Sequence, residues 1–423
     1  MWYFIERFLW GQAFFILSLF QIVTLILTTY QTVISLIGLL LRNKNAVTPS
    51  VSRKFAIAIC AHNEEIVIGD ILGRLKTLDY PKSMYDVFVI ADNCTDSTAK
   101  IARDYGVYVY ERHDKEKVSK GYGIEWFLAR VWEQDLHTKY DALAIFDADN
   151  LMSRNFLKMV NGKMDQGARV IQAYLDSKNP KDTWITRSYA FAYWATSQIY
   201  QQAREKMGLS AQLGGTGMVF HIDVLKDMGW GTESLTEDLE FTVRYAMLSD
   251  QRVHWLHEAK IYDEKPLNMR QSYVQRMRWM KGHFDCAFRY SVPLAKKIRW
   301  NRSLFIYLDL MIYLIQPIKI VLAMAGLVFF IISLFRPIPE PIMTYVLNPW
   351  VWWTVLSIYY LQPLYALFLE KKAKTLWWFI PSYIFSLSWI PIVAYAVFNT
   401  KEKTWTHTTH TRSVLLEETQ EDL

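Results

Sequence analysis

Cysteine is scarce in this chain of 423 residues, which contains only Cys60, Cys94 and Cys286. Their spacing matches no metal-binding cysteine pattern, and all three lie in the charged middle part of the sequence, which favours a reducing compartment. Internal repeats, low-complexity tracts and an arginine-rich tail are also missing. The formal net charge of +6 therefore does not predict nucleic-acid binding.

Charged side chains are absent from several long apolar stretches. None occurs between Arg7 and Arg42, a span long enough to cross a bilayer with some tilt. Because this stretch has no small-residue cleavage site and is too long for the core of a signal peptide, we expect a retained helix. Further uncharged runs at 320–335, 341–369 and 376–400 predict about three C-terminal transmembrane segments, preceded by an interface helix.

Basic residues set the predicted orientation. Four of them follow the first apolar stretch with no acidic residue among them: Arg42, Lys44, Arg53 and Lys54. By the positive-inside rule, the domain that follows lies in the cytosol. The predicted organisation is a transmembrane helix at 1–41, a cytosolic domain at 42–290, an interface helix with transmembrane segments at 291–400, and a tail at 401–423.

Short apolar runs alternate with helix-like stretches in the cytosolic domain. "FAIAIC" begins at Phe55, "DVFVIADNC" ends its apolar part at Asp92, and "YDALAIFDADN" ends its apolar part at Asp147. A helix-like stretch at 65–78 follows the first run. This alternation predicts an α/β domain with a parallel sheet covered by helices on both faces.

Polar residues stand where these predicted strands end. Ligands bind beyond the carboxyl ends of the strands in such sheets. We therefore expect one shared site that includes the following residues: His62, Asn63, Glu64, Asp92, Asp147 and Asp149.

Asp147 and Asp149 are two positions apart. On an extended segment both carboxylates point to the same side and can face one point. Two carboxylates leave room for phosphate oxygens and water around Mg²⁺ or Mn²⁺, which is how these ions hold a nucleotide. The alternative, a loop with helix-capping aspartates, explains this pair on its own equally well.

The "TED" triplet, Thr236 to Asp238, precedes a helix-like apolar stretch. Threonine followed by acidic residues is a common helix start, and on its own the triplet favours that interpretation. A buried carboxylate beside a diphosphate could equally deprotonate a sugar hydroxyl.

The stretch "QRMRW" brings Gln275, Arg278 and Trp279 to one face of a predicted helix, whereas Arg276 points elsewhere. A planar guanidinium suits a diphosphate, and an indole face suits the C–H surface of a sugar ring. An amphipathic interface helix is the alternative, and it explains the arginines and the tryptophan but not the glutamine on their face.

The motifs together resemble a known family. Their order is "AHNE", "ADNCTD", "DADN", "GGTG", "TED" and "QRMRW", followed by apolar segments. This order is similar to that of the processive family 2 glycosyltransferases, which include cellulose, hyaluronan, chitin and poly-N-acetylglucosamine synthases. The resemblance implies an α/β GT-A (Rossmann-like) cytosolic domain plus an α-helical transmembrane region with amphipathic interface helices.

The resemblance also implies roles on the donor side of the site. Asp147 and Asp149 would contact the donor and its Mg²⁺ or Mn²⁺, and Gln275 and Arg278 would hold the diphosphate. Lys120 would lie near the diphosphate, although glycine and isoleucine at 123 and 124 replace the family's usual alanine and leucine. The uridine of a UDP-sugar would be held by Ala61, His62, Glu64 and Asp92.

On the acceptor side, the resemblance implies that Asp238 is the general base. The acceptor would be bound by Glu237, Trp279 and the "GGTG" turn with Gly215, Thr216 and Gly217. In the tail, Trp405, Thr408 and His410 would form a gating segment over the active site. Three crossings after a cytosolic domain would put this tail outside, so we expect one apolar segment, within 304–335, to lie in the interface instead.

The resemblance implies a multi-pass enzyme of the bacterial cell membrane. It would polymerise a UDP-sugar by inverting transfer onto a growing polysaccharide, which then passes through the enzyme's own channel. We expect UDP-glucose to be made into a β-1,4 or mixed β-1,3/1,4 glucan, with a poly-N-acetylglucosamine or hyaluronan-type product as the close alternative. A non-processive polyprenyl-phosphate sugar transferase and an inactive membrane scaffold are the further alternatives. The sequence leaves the oligomeric state open.

Overall fold

A computed structural model describes residues 2–41, 46–298, 303–322, 349–402 and 413. In this part of the chain, eight strands form one sheet. They are β1 Phe55–Ala61, β2 Tyr85–Asp92, β3 Tyr108–Arg112, β4 Ala142–Asp147, β5 Leu151–Met152, β6 Val170–Ser177, β7 Met218–His221 and β8 His254–Asp263.

Helices surround the sheet and extend from it at both ends of the chain. The helices within residues 46–298, here called the catalytic region, are α2 Ile68–Leu75, α3 Thr98–Asp104, α4 Lys120–Glu133, α5 Phe156–Asp165, α6 Trp184–Thr196, α7 Ala203–Met207, α8 Ile222–Met228, α9 Glu237–Ser249 and α10 Met269–Lys297. The others are α1 Trp2–Leu40, α11 Leu304–Ile315, α12 Pro349–Leu369, α13 Phe379–Leu387 and α14 Trp389–Ala396. A π-helical turn, Ser197–Gln202, joins α6 to α7, and a 3₁₀ turn, Ala373–Trp378, precedes α13.

The sheet is mixed, with the strand order β3-β2-β1-β4-β7-β6-β8-β5. The first four strands are parallel, as predicted. The second half differs from the prediction, because β7 runs antiparallel to both β4 and β6, and β5 runs antiparallel to β8. β7 follows the turn Gly214–Gly217, which lies at the carboxyl end of β4, so the chain enters the sheet there from the opposite side.

Strand β1 lies at the centre of the parallel half and is buried on both faces, which explains its uninterrupted apolar sequence. Ile57 and Ile59 belong to the core on the side of α2. Ala56 and Ala58 belong to the core on the side of α4, where small side chains leave room for Phe127. The predicted strand and the helix after it are confirmed, although the helix α2 is shorter than the predicted stretch at 65–78.

Two helices among the described residues are long and apolar enough to cross a membrane, Leu19–Leu40 and Ala373–Ala396. The first lies in α1, where the sequence predicts a helix. The second overlaps the predicted apolar run at 376–400. Most of the predicted run at 320–335 lies outside the described residues. Helix α10 continues through residue 290, where the sequence analysis places the domain boundary.

Candidate active site

The predicted carboxylate pair spans the last residue of a strand and the turn that follows it. β4 ends at Asp147, and the backbone N–H of Asn150 donates to the Asp147 carbonyl at 3.2 Å, which closes the turn. The expectation that an extended segment aims both carboxylates is therefore wrong. The turn nevertheless keeps the two carboxylates close: burial raises the pKa of Asp147, and the nearby Asp149 charge adds to this effect, although Lys120 opposes it.

Asp149 is the more constrained carboxylate of the two. Its Oδ1 accepts from Asn150 Nδ2 at 3.0 Å, and its Oδ2 accepts from the backbone N–H of Glu264 at 3.0 Å. The fully buried Lys178 donates to the Asp149 carbonyl at 2.9 Å. The Asp147 side chain is 40% exposed and forms an ion pair with Lys120. Hydrogen bonds thus hold the carboxylate of Asp149, whereas that of Asp147 is more exposed and is paired with Lys120.

Lys120 is the first residue of α4, which Ser119 caps. Its Nζ donates to Asp147 and to the Gly215 carbonyl. Burial lowers the pKa of Lys120, but the nearby negative charges outweigh it, with Asp147 the largest of them, so that the pKa is raised overall. Lys120 therefore stays cationic across the physiological range.

Gly123 explains one departure from the family pattern. A Cβ at this position would lie 3.3 Å from Asp92 Oδ2, closer than an ordinary contact. The site therefore has no room for the usual alanine unless Asp92 shifts.

Asp92, at the end of β2, is placed beside the end of β1. Its carbonyl contacts His62 Nδ1 at 2.6 Å, and its Oδ1 accepts from the buried Arg112 at 2.7 Å. Burial raises the pKa of Asp92, although Arg112 opposes this effect. Ala61 ends β1, and the buried Glu64 donates its backbone N–H to Thr98 Oγ1 at 2.8 Å. The four residues predicted for the uridine thus lie at one edge of the sheet.

The "GGTG" turn is held by a buried glutamine. Gln172 accepts from the Gly214 N–H at 2.8 Å and donates to the Thr216 carbonyl at 2.9 Å. Thr216 Oγ1 accepts from the Asp147 N–H at 3.1 Å, which ties the turn to the end of β4. Gly215 and Gly217 have φ angles of +80° and +61°, which favour glycine.

The "TED" triplet stands at the start of helix α9, which confirms the predicted helix start: Thr236 is at the N-cap position, and the first turn contains Glu237, Asp238 and Glu240. The side chain of Thr236 forms no capping hydrogen bond. Burial raises the pKa of Asp238 to about 7, and the neighbouring Glu237 charge adds to the effect. Burial also raises the pKa of Glu237, whereas Lys120 and Arg278 lower it. A Cβ on Gly215 would lie 3.6 Å from Asp238 Oδ2, so this carboxylate borders the glycine turn.

The "QRMRW" stretch lies in α10. Tyr189 OH donates to Gln275 Oε1 at 3.3 Å, and the rings of Tyr189 and Trp279 meet edge to face with centroids 6.4 Å apart. Arg278 is half-buried. Burial raises the pKa values of Asp147 and Glu237, and the Arg278 charge opposes this rise at both, which indicates that it lies near the two carboxylates.

Arg276 has a different environment, as the sequence analysis expects. It is fully buried, and its Nη1 donates to Ser388 Oγ at 2.8 Å. Its guanidinium lies over the rings of Phe385 at 4.4 Å and Trp389 at 4.9 Å. Arg276 therefore joins α10 to the C-terminal helices.

Negative charge predominates at this edge of the sheet. Burial raises the pKa of Asp263 to about 6, and Asp149 and Asp147 add to the effect, although Lys265 opposes it. Among the described residues, no group of three or more His, Cys, Asp or Glu side chains is arranged to hold a metal ion. Asp147 and Asp149 provide carboxylate oxygens, which are the ligands that Mg²⁺ and Mn²⁺ prefer, and the Asp147 side chain is exposed enough to reach such an ion.

Sequence reasoning missed several residues that shape the site. Asp263 ends β8 as Asp147 ends β4, so the strand-end pattern could have indicated it. Gln172 lies in β6 and Lys178 directly follows this strand. Both contact residues that are far away in the chain, and no local sequence pattern predicts such contacts. Arg112 likewise reaches Asp92 from the end of β3.

The predicted gating residues, Trp405, Thr408 and His410, lie outside the described residues. The residues on either side of them contact the catalytic region. Glu402 forms an ion pair with Lys281 of α10 at 2.6 Å, and Ser413 Oγ donates to Asp70 of α2 at 2.7 Å. These contacts put both flanks of the tail on the side of the catalytic domain.

Comparisons with known proteins agree with this architecture. The family described as "Glycosyltransferase like family 2" matches residues 52–282. The chain is 23% identical over 358 residues to "Probable glycosyltransferase YdaM" of Bacillus subtilis, covering 82% of each protein. It is 27% identical over 237 residues to the beta-monoglucosyldiacylglycerol synthase of Nostoc sp., covering 54% of this chain and 49% of that protein. The match thus spans about half the length of the latter relative.

Among solved structures, the mannosyltransferase PcManGT from Pyrobaculum calidifontis, in complex with GDP-Man and Mn²⁺, superposes with a TM-score of 0.56. The two chains are 16% identical, and the alignment covers 88% of this chain and 99% of that one. At this identity the likeness shows a shared fold.

Proposed function

The chain belongs to the family described as "Glycosyltransferase like family 2", and on that premise we propose that it transfers a hexose from a UDP-sugar to a hydroxyl group at a membrane surface, with inversion at C1. The observation that carries the proposal is the convergence of Lys120, Asp147 and Asp238 around the turn Gly214–Gly217. A cation beside a carboxylate pair, with a carboxylate of raised pKa nearby, supplies the groups that such a transfer needs.

The donor half of the site provides groups for each part of a UDP-sugar. The edge formed by Ala61, His62, Glu64 and Asp92 receives the uridine. Lys120 and Arg278 offset the negative charge of the diphosphate, and Gln275 adds a neutral hydrogen-bonding group beside it. When bound by Asp147 and Asp149, Mg²⁺ or Mn²⁺ supplies a Lewis acid that stabilises the departing UDP.

Asp238 is the proposed proton acceptor. The acceptor hydroxyl oxygen attacks C1 of the donor sugar, its proton moves to the Asp238 carboxylate, and the bond from C1 to the diphosphate oxygen breaks. A pKa of about 7 leaves part of the enzyme ionised at neutral pH while making the carboxylate a stronger base than an exposed aspartate. Glu237, Thr216, Gly217 and Trp279 border the acceptor, and Gly215 lets the backbone approach it.

For the acceptor we favour a lipid hydroxyl. Relatives named beta-monoglucosyldiacylglycerol synthase support this class. The structure supports it through the aromatic cluster that borders the site: Tyr189, which contacts Trp279, also packs on Phe385 of α13 with ring centroids 5.3 Å apart. The acceptor side therefore borders the apolar C-terminal helices, where a lipid would arrive.

A second candidate is the processive β-glucan synthase that the sequence motifs predict. The "QRMRW" stretch favours it, because Gln275 and Trp279 lie together beside Tyr189 and could hold the end of a sugar chain. A polyprenyl-phosphate acceptor and an inactive scaffold are the remaining alternatives, and one assay separates all four.

The purified full chain is reconstituted in phospholipid vesicles with Mg²⁺ or Mn²⁺. Three radiolabelled donors are then tested in parallel: UDP-glucose, UDP-N-acetylglucosamine and UDP-glucuronate. Vesicles contain diacylglycerol, polyprenyl phosphate or neither. We expect a labelled product that extracts into organic solvent only when diacylglycerol is present. Label in an insoluble product that linkage-specific hydrolases digest would replace this proposal with the polymerase, and no turnover with any donor would favour the scaffold.

A further inference from the structure

The helical segment Ala373–Ala396, here called the C-terminal segment, is long and apolar enough to cross a membrane. It includes the 3₁₀ turn, α13 and α14. Its first part packs on helix α6 of the catalytic region. Trp378 stacks on Trp194 with ring centroids 5.6 Å apart, and Phe385 meets Trp184 edge to face at 6.0 Å.

The second part of the C-terminal segment packs on α10. Arg276 of α10 donates to Ser388, close to the midpoint of the segment. Further along, Phe284 of α10 shares a buried cluster with Ile392 and Val393. The segment thus contacts the catalytic region from its first turn to its last.

The position of α6 and α10 restricts how this segment can lie. α10 carries Gln275 and Arg278 of the active site, and α6 is tied to the sheet by the hydrogen bond from Trp194 Nε1 to Asp176 of β6 at 2.6 Å. A segment that crossed the bilayer would carry these surfaces into the hydrocarbon with it. It would also put the Arg276 guanidinium near the bilayer centre, where a charged side chain is unfavourable.

The opposite face of the segment is open. Trp377, Ile380, Ile384 and Leu387 are 59%, 65%, 59% and 63% exposed. Their spacings of three, four and three residues place them on one side of a helix. A stripe of large exposed apolar side chains on a helix that is otherwise packed on protein is typical of an element that lies in a membrane surface.

Basic side chains at the start of the C-terminal segment indicate the kind of membrane surface that it contacts. Lys371 and Lys374 are exposed and stand just before the apolar stripe. Arg187 lies nearby, with its guanidinium 5.4 Å from the ring of Trp377. Cations next to an interfacial apolar face attract the negative headgroups of anionic phospholipids.

We infer that the C-terminal segment does not cross the membrane but lies in its plane, with the apolar stripe in the leaflet on the side of the catalytic domain and Lys371 and Lys374 on anionic lipid headgroups. This inference rests on the proposed membrane association and not on the identity of the acceptor. It reverses the expectation from the sequence, which puts a crossing at 376–400 and the interface element within 304–335. It also accounts for the contacts of Glu402 and Ser413 with the catalytic domain.

Topology is tested with the full chain in the cell membrane. Lys374→Cys and Lys401→Cys are introduced singly at the two ends of the segment, with Lys100→Cys, on an exposed position of α3, as the reference. A membrane-impermeant thiol reagent is applied to spheroplasts and to inverted vesicles, and labelling is read on each engineered peptide by mass spectrometry. We expect all three cysteines to react from the same side. Reaction of Lys401→Cys from the side opposite to Lys374→Cys would overturn the inference.

Depth is an independent measurement. Ile384→Cys, at the midpoint of the segment, is labelled with a fluorophore in the reconstituted protein, and quenching is compared for lipids brominated near the headgroup and near the chain end. An in-plane segment makes the shallow quencher the stronger one, because such helices are buried only about 5–10 Å into the headgroup and acyl boundary. A segment that crosses would make the deep quencher stronger.

Lipid selectivity tests the role of the lysines. Quenching of the same fluorophore by a brominated phosphatidylglycerol is compared with that by a brominated phosphatidylcholine. We expect Lys371→Gln with Lys374→Gln to reduce the preference for the anionic lipid by about fivefold per lysine, while Lys100→Gln leaves it unchanged. An unchanged preference in the double variant would remove the headgroup part of the inference. None of these readouts needs sugar transfer, so they stand if the proposed function fails.

Discussion

The two halves of the sheet contribute to the active site in different ways. In the parallel half, the backbone register itself aligns the groups: Ala61 pairs with Ala91, next to Asp92, and Cys60 pairs with Asp147 on the other side. In the mixed half, Asp238 and Arg278 come from helices α9 and α10, so their positions depend on how these helices pack. Gly282 of α10, for example, lies so close to Thr236 at the start of α9 that there is no space for a Cβ.

The strand-end residues proposed for the uridine are therefore aligned by local sequence, whereas Arg278 and the proposed base Asp238 are brought to the site by tertiary contacts. Strands that run in parallel end at one edge, so a polar residue after each strand reaches the same place. Helices have no such shared end. A variant on the donor side should therefore change donor affinity, whereas a variant on the acceptor side should change turnover or the fold.

The largest expected effect is on the acceptor side. Asp238→Asn should lower sugar transfer by about 10³-fold, because an amide cannot take the proton of the acceptor hydroxyl. Donor affinity, measured by calorimetry with the UDP-sugar, should stay close to that of the unchanged protein. Asp227→Asn, at an exposed position of α8, is the control. An Asp238→Asn enzyme that transfers sugar at a near-normal rate would show that another group is the base.

The two arginines of "QRMRW" should separate chemistry from stability. Arg278→Met should lower kcat/KM for the donor by about 100-fold, because it removes a charge that faces the diphosphate, and should leave the melting temperature unchanged. Arg276→Met should lower the melting temperature by about 5 °C, because the hydrogen bond from Arg276 to Ser388 Oγ is lost and a buried cavity opens. Initial rates and thermal unfolding in the same detergent measure both effects. A stable Arg276→Met protein with impaired donor binding would contradict this division.

A smaller effect is expected on the donor side. Gly123→Ala should raise the KM for the UDP-sugar by about tenfold, because the added Cβ would crowd the Asp92 carboxylate and the overpacking costs about 1–3 kcal/mol. Gly73→Ala, in helix α2, is the matched control, since its Cβ would meet only Tyr105 OH at 4.0 Å. Equal behaviour of the two variants would mean that the contact with Asp92 does not affect the donor.

The smallest effect concerns pH. The pKa of Asp238 is about 7 in the folded protein, so transfer should rise as pH increases through about 7 and then level off. The stability effect has the opposite sign. Because the folded pKa lies above the ordinary aspartate value, Asp238 contributes stability that is fully present below that value and is lost as pH rises through about 7. As pH rises from the ordinary aspartate pKa to about 7, the thermal unfolding midpoint of the unchanged protein should fall. The midpoint of Asp238→Asn should fall less. A pH-independent rate would contradict the assignment of the base.

Particular residues show how far sequence reasoning reaches. Strand ends at Asp92 and Asp147 could be predicted because apolar runs and their polar ends are local patterns. The antiparallel strand β7 could not, since its direction depends on how the Gly214–Gly217 turn meets β4. Neither could Lys178 and Gln172, whose partners lie 29 and 44 positions away in the chain. The roles assigned to the predicted site residues stay predictions until the variants are measured.

The sequence by itself determined the parallel half of the sheet and the order of the motifs, because both depend on hydrophobic periodicity and on residues that are neighbours in the chain. It also determined which segments are apolar. Only the tertiary structure decided that Arg276 packs on the C-terminal helices, and that one apolar segment lies along α6 and α10. The physical reason is that hydropathy measures how well a segment avoids water, whereas its neighbours in space determine whether protein or lipid replaces that water.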